Sequence, residues 1–247
     1  MAIIVVGGSN RGVGKTALVC GLIAALPEYR WNAVKITTHD HKQPVSPGRA
    51  NSAEGPDSKI SRTLRSPSFR QIFEKKQGEP AGNTEPAASN PIWEDTVPGE
   101  ETDTARYLAA GAARALLVSA PDGELSGPLD QLWPRFGRGT NMIFESNSVV
   151  HHVRPDVCLL IHAVAERALP LPERKPSFIA ALRHVDAMVS HARADEIIPE
   201  GLCLALPELD VEQPLKPRPI FHLRRLEQIS PEMLEWVRHR LPPVQRF

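Results

Sequence analysis

The chain has 247 residues, 41% of them hydrophobic, which is length enough for one α/β domain or two small ones and apolar enough for a core. Its 29 Lys and Arg balance 29 Asp and Glu, so it carries no global electrostatic footprint for nucleic acid or an anionic membrane. No apolar run reaches bilayer length and residues 1–6 enter a strand without a basic segment or cleavage site, so the expectation is a soluble, cytoplasmic protein.

The first element is the apolar run Ala2-Ile3-Ile4-Val5-Val6, read as a strand. Glycines follow, then Lys15-Thr16, then Leu18, Val19, Leu22, Ile23 and Leu26 at helical spacing. Strand, glycine-rich loop and helix in that order are the context of a phosphate-binding loop. Gly14-Lys15-Thr16 match its consensus, while Ser9 stands at the opening glycine position and Gly8 lies one residue earlier. Gly12 and Gly14 permit tight turning, and successive N–H groups at a helix start converge on an anion. The nucleotide-binding residues expected are therefore Ser9, Asn10, Arg11, Gly12, Val13, Gly14, Lys15, Thr16 and Ala17. Lys15 would reach the terminal phosphates and the Thr16 hydroxyl would ligate Mg²⁺.

A second strand is predicted over Ala33–Thr37 and ends in Lys35-Ile36-Thr37-Thr38-His39-Asp40-His41. Asp40 is a candidate to hold a Mg²⁺-bound water, to take a proton, or to orient the attacking water or substrate. His39 and His41 are candidates to touch phosphate, and a solvated loop role fits them equally well. From about 43 to 102 the chain is rich in Pro, Gly, Ser, Asn and Glu, with one short helix predicted over Ser68–Lys76. Too few apolar residues stand there to offset chain entropy, so this is read as an insertion at the site-bearing edge of the sheet, mobile or closing over ligand.

Thr102-Asp103-Thr104-Ala105-Arg106-Tyr107 opens a helix with Asp103 expected as N-cap, and Arg106, one turn in, is a candidate to contact an anionic group. Further strands are predicted over Ala115–Ser119, Asn141–Glu145, Val157–His162, Ala187–Ser190 and Leu202–Leu206. Glu145, a carboxylate at the end of an apolar strand, suits a second Mg²⁺ anchor. A buried glutamate without a cation beside it would be costly. The last element, from Ser230 with Pro231 at the first helical position, is a closing helix. Strands alternating with helices imply a mainly parallel sheet with helices on both faces, a three-layer sandwich of the phosphate-loop NTPase kind in a single domain, with ligands at the carboxyl ends of the strands. Cys20, Cys158 and Cys203 lie far apart in apolar stretches and read as buried, reduced thiols.

The phosphate loop together with "VKITTHDHK", "DTARYLAAGAARALLV", "MIFESNS" and "RPDVCLLI" resembles the molybdopterin-guanine dinucleotide biosynthesis protein B family. That family is related to dethiobiotin synthetase, whose corresponding strand also ends in a Mg²⁺-binding glutamate. The resemblance covers residues 1–42 and about 102–190. Ser146-Asn147-Ser148 depart from it, since a glycine usually follows the glutamate there. It implies a GTP-binding protein, often dimeric, that acts in attachment of a nucleotide to the molybdenum cofactor, with a molybdenum-cofactor enzyme as a candidate partner. It also implies phosphate contacts from Gly12 to Thr16, Mg²⁺ near Thr16 and Glu145, and substrate-side roles for Asp40, Asp103 and Thr104.

The expected activity is Mg²⁺-dependent binding and slow hydrolysis of GTP or ATP, with Lys15 and Asp40 catalytic. Two alternatives stand beside it. One is an ATP-dependent ligase or kinase of the dethiobiotin synthetase type, in which Lys35, Asp40 and the Asn147 region hold a small acceptor. The other is a nucleotide-dependent adaptor without catalysis. Base recognition has only Lys175 and Ser190-His191 as candidates, without an Asn-Lys-x-Asp signature.

Overall fold

The computed structural model describes residues 1–39, 92–121, 124–137, 139–163, 176–191 and 218–244. Residues 1–39 and 91–247 group as one unit. The expected helix over 68–76, the strand over 202–206, and Asp40, His41, Lys175 and Cys203 lie outside the described residues.

Strand β1 (Ile3–Gly8) is buried along its whole length, as a strand covered on both faces requires. Helix α1 (Lys15–Ala25) follows, then β2 (Asn32–His39) and β3 (Ile92–Asp95). Helix α2 (Asp103–Ala109), β4 (Arg114–Pro121), α3 (Ser126–Leu132) and β5 (Met142–Glu145) come next. The chain continues through a 3₁₀ turn (Ser148–His151), β6 (Val157–Ala163), α4 (Pro176–Ala181), β7 (Ala187–His191), β8 (Ile220–Leu223) and α5 (Pro231–Arg238).

Among the described residues the sheet has eight strands in the order β3-β4-β2-β5-β1-β6-β7-β8. All pair in parallel except β3, which runs antiparallel to β4. Alternation along each strand divides the core in two. Ile4 and Val6 of β1, Ile143 of β5 and Leu159 of β6 pack with Leu18, Leu22, Tyr107 and Met233 of α1, α2 and α5. Their neighbours Ile3, Val5, Phe144 and Leu160 pack on the other face with Leu129 and Leu132 of α3 and Phe178 of α4. The result is an α/β fold with helices on both faces, compatible with a three-layer sandwich.

Two elements depart from the sequence expectation. Strand β3 lies inside the stretch read as insertion. It buries only Ile92 fully and is held at the sheet edge by Arg114, which grips Glu94 through two bonds of 2.6 and 2.7 Å. Strand β8 pairs with β7 from Met188↔Ile220 to His191↔Leu223, and its four residues are too few for periodicity to reveal. The closing helix matches expectation: Ser230 Oγ accepts from Met233 N at 3.3 Å, with Pro231 in the first turn.

The connections place a crevice. The chain leaves β1 for α1 on one face, whereas it leaves the adjacent β5 through the Ser148–His151 turn, whose Val149 and Val150 pack on the other. Neighbouring parallel strands whose connections diverge in this way open a crevice at their carboxyl ends, where open α/β sheets take ligands.

Candidate functional site

The loop between β1 and α1 sits at that crevice. Gly12 and Gly14 have φ of +80° and +102°, a backbone region open to glycine and strained for other residues. Gly14 is also the N-cap of α1, and a Cβ there would meet Leu226 Cδ1 at 2.1 Å. Both the turn and the close packing therefore call for glycine. The loop start is pinned where Ser9 N donates to Ile161 O at 2.9 Å. Lys15 folds back so that Nζ donates to Asn10 O at 2.8 Å, which holds the ammonium over the loop. Val13 is buried in the core while Arg11 is exposed.

Beside the loop, four elements bring a cluster together around Glu145, which is only 4% exposed. Thr16 Oγ1 on α1 donates to Glu145 Oε2 at 2.7 Å. Lys35 Nζ on β2 donates to Glu145 Oε1 at 2.9 Å and also to Asp103 at the start of α2. Tyr107 on α2 adds its hydroxyl to Glu145 Oε2. The register explains the meeting, because Lys35 lies directly opposite Glu145 in the β2–β5 ladder and Val6 lies opposite it in the β1–β5 ladder. The cation that a buried glutamate needs is thus Lys35.

Electrostatics follow from this packing. Burial acts to lower the Lys35 pKa, but the Glu145 charge and the hydrogen bonds to Asp103 and Glu145 outweigh it and hold the ammonium above its usual range. Burial acts to raise the Asp103 pKa, and the Lys35 hydrogen bond and charge outweigh it, holding the carboxyl below its usual range. A carboxyl depressed in the folded state stabilises above its unfolded pKa, about 4, and that contribution is lost as pH falls through the depressed value. Wild-type urea midpoints are expected to fall more steeply than those of Asp103→Asn over roughly pH 5 to 3. Parallel curves would show that the Lys35–Asp103 pair contributes no stability.

Several expected residues take other places. Asp103 is not the N-cap. Thr102 holds that position, its Oγ1 accepting from Ala105 N at 3.0 Å, and Asp103 is one residue inside the helix. The reason is that both are good caps, and the pairing with Lys35 draws the Asp103 carboxylate away from the helix start. Thr104 is turned to Asp95, which also accepts from Thr102 at 2.7 Å, so it lies outside the Glu145 cluster. Arg106 approaches Asp103 at 3.9 Å and its carbonyl accepts from Cys20 Sγ at 3.6 Å. The Asn147 amide is engaged with the main chain of Gly8. His39 ends β2.

Tyr107 is a cluster residue that sequence reasoning missed. Its signal was available, since it stands four residues after Asp103 and so shares that face of the helix. Cys20 and Cys158 are free thiols, and burial lifts their pKa values to about 11 and about 12, which makes poor nucleophiles of them.

The donor set fits Mg²⁺ in chemistry. The Thr16 hydroxyl and the Glu145 carboxylate are hard oxygen donors of the kind Mg²⁺ takes, and Mg²⁺ held by one or two carboxylates keeps several waters. Such a site needs no cluster of three or more His, Cys, Asp or Glu, and none occurs among the described residues. No helix among the described residues is long and apolar enough to cross a membrane. The chain matches no family model and no curated protein.

Proposed function

We propose that this protein binds a nucleoside triphosphate with Mg²⁺ and hydrolyses it slowly, as a phosphate-loop NTPase resembling the molybdopterin-guanine dinucleotide biosynthesis protein B family. The observation that carries the reading is the Thr16–Glu145 hydrogen bond of 2.7 Å, which joins the residue after the loop lysine to a buried carboxylate ending the neighbouring strand. The left-handed glycines and the position of the loop at the crevice support it.

In this reading the loop N–H groups and Lys15 take the phosphates, and Thr16 and Glu145 would hold Mg²⁺. When bound, the metal neutralises charge on the phosphate oxygens. Lys35 holds Glu145 in place through its hydrogen bond of 2.9 Å. Asp40, by its position after β2, would orient the attacking water. Catalysis is then positioning and charge neutralisation. The preference for GTP over ATP, a dimeric state and a place in molybdenum-cofactor assembly rest on the resemblance alone.

A second reading is transfer to a small acceptor, as in dethiobiotin synthetase. It is favoured by the partly exposed Lys35 side chain, paired with Asp103, which Arg106 also approaches. Stimulation of hydrolysis by an acceptor separates the two.

Calorimetry with ATP and GTP, in Mg²⁺ and in EDTA, tests the proposal on wild type and Glu145→Gln. Wild type is expected to bind in both conditions and more tightly with Mg²⁺. Glu145→Gln keeps the shape and removes the charge, so its metal-free binding stays while Mg²⁺-dependent tightening falls. No binding of either nucleotide would sink the reading, and equal affinities for ATP and GTP would remove the GTP preference.

A further inference from the structure

Past Glu145, β5 no longer pairs with β1 through Cα partners, the last being Val6↔Glu145. Pairing nevertheless continues for two more residues. Ser146 N donates to Val6 O at 3.0 Å, and then a side chain takes over. Asn147 Oδ1 accepts from Gly8 N at 2.8 Å while its Nδ2 donates to Gly8 O at 3.0 Å. One primary amide thus satisfies both main-chain groups of Gly8, the last residue of β1 before the loop.

The surroundings are built to hold that amide. A Cβ on Gly7 would lie 2.5 Å from Asn147 Oδ1 and 2.4 Å from Leu160 Cδ2, so only glycine at 7 lets the amide approach. Ser146 Oγ accepts from Ser148 N at 3.1 Å and Val149 N at 3.2 Å, which fixes the turn that carries Asn147. On the opposite flank, Ser9 N is tied to Ile161 O. A Cβ on Gly8 would sit 3.0 Å from Lys15 Cγ, so the clamped peptide also backs the lysine stem.

We infer that Asn147 is a positioning residue: its amide locks the Gly8 peptide so that the loop and Lys15 are aimed at a polyphosphate before one arrives. This rests on the phosphate-loop reading above and deepens it, because it gives the Ser-Asn-Ser departure after Glu145 a task. The loop here starts with Ser9 instead of the consensus glycine, and Asn147 braces it from the turn that follows the neighbouring strand. A loop held in its binding conformation loses less entropy on binding, so freeing it weakens the ligand without removing any ligand contact.

The probe is inorganic tripolyphosphate, which lacks base and sugar, measured by calorimetry in EDTA alongside ATP. Asn147→Ala is expected to weaken both by roughly tenfold to a hundredfold, through two main-chain groups left without partners. Asn147→Asp supplies the readout that simple destabilisation would not move. As a carboxylate it faces Gly8 O with a second acceptor, whereas once protonated it presents one acceptor and one O–H donor, as the amide does. Its affinity relative to wild type is therefore expected to recover as pH falls through the carboxyl's range.

Wild-type affinity in Asn147→Ala would overturn the inference. So would weaker binding that merely tracks the unfolded fraction in a melt, with no acid recovery in Asn147→Asp. If wild type itself binds neither tripolyphosphate nor ATP, the phosphate-loop reading falls and takes the inference with it.

Discussion

Lys15→Ala is expected to lower nucleoside-triphosphate affinity by roughly a hundredfold, with or without Mg²⁺, and to bring hydrolysis to background, because a direct charge-assisted contact to phosphate is lost. The ammonium already lies over the loop, bonded to Asn10 O at 2.8 Å, so little reorganisation separates its resting place from a phosphate oxygen. Folding should be spared, since Lys15 is partly exposed and surface changes usually alter stability by less than about 0.5 kcal/mol. Calorimetry and phosphate release, with a urea melt as control, decide this. A variant that binds like wild type would remove Lys15 from the phosphates. A variant equally impaired only in Mg²⁺ would move its role to the metal.

Lys35→Met is expected to have the largest effect on stability. The substitution keeps the length of the stem and removes the cation, leaving Glu145, 5% exposed in its side chain, without its counter-charge. Breaking a buried pair from one side costs about 3 kcal/mol, against the small cost of removing both partners. The double variant Lys35→Met/Glu145→Gln should therefore recover most of the loss, and the thermodynamic cycle should give a coupling well above the noise of urea melts. In wild type the raised Lys35 pKa gives stability that is present below the unfolded value and lost as pH rises through the folded one. Additive losses in the double variant would show that the pair is not coupled.

Much of the architecture was legible because it is written in near neighbours. The β-branched run of β1, the glycines and lysine behind it, and the apolar spacing of α1 are patterns within a few residues. The cap of α5 is equally local, and Ser230 with Pro231 identified it. Glu145 was legible as a strand-end carboxylate. Strands β3 and β8 were not, since each has four residues and becomes a strand only by pairing at a sheet edge already in place. The displacement of the α2 cap from Asp103 to Thr102 has the same origin, because two adjacent capping residues compete and a distant lysine decides between them.

The sequence by itself determined the strand–loop–helix unit and the glycines that its tight turn requires, consequences of contacts within a few residues. Only the tertiary structure decided the partners of Glu145, because Thr16, Lys35 and Tyr107 stand 129, 110 and 38 residues away along the chain. It likewise decided that the Asn147 amide pairs with the main chain of Gly8, 139 residues away. Charges and amides have no periodicity, so their pairing is set by which strands lie side by side, and that is fixed by the order of the sheet.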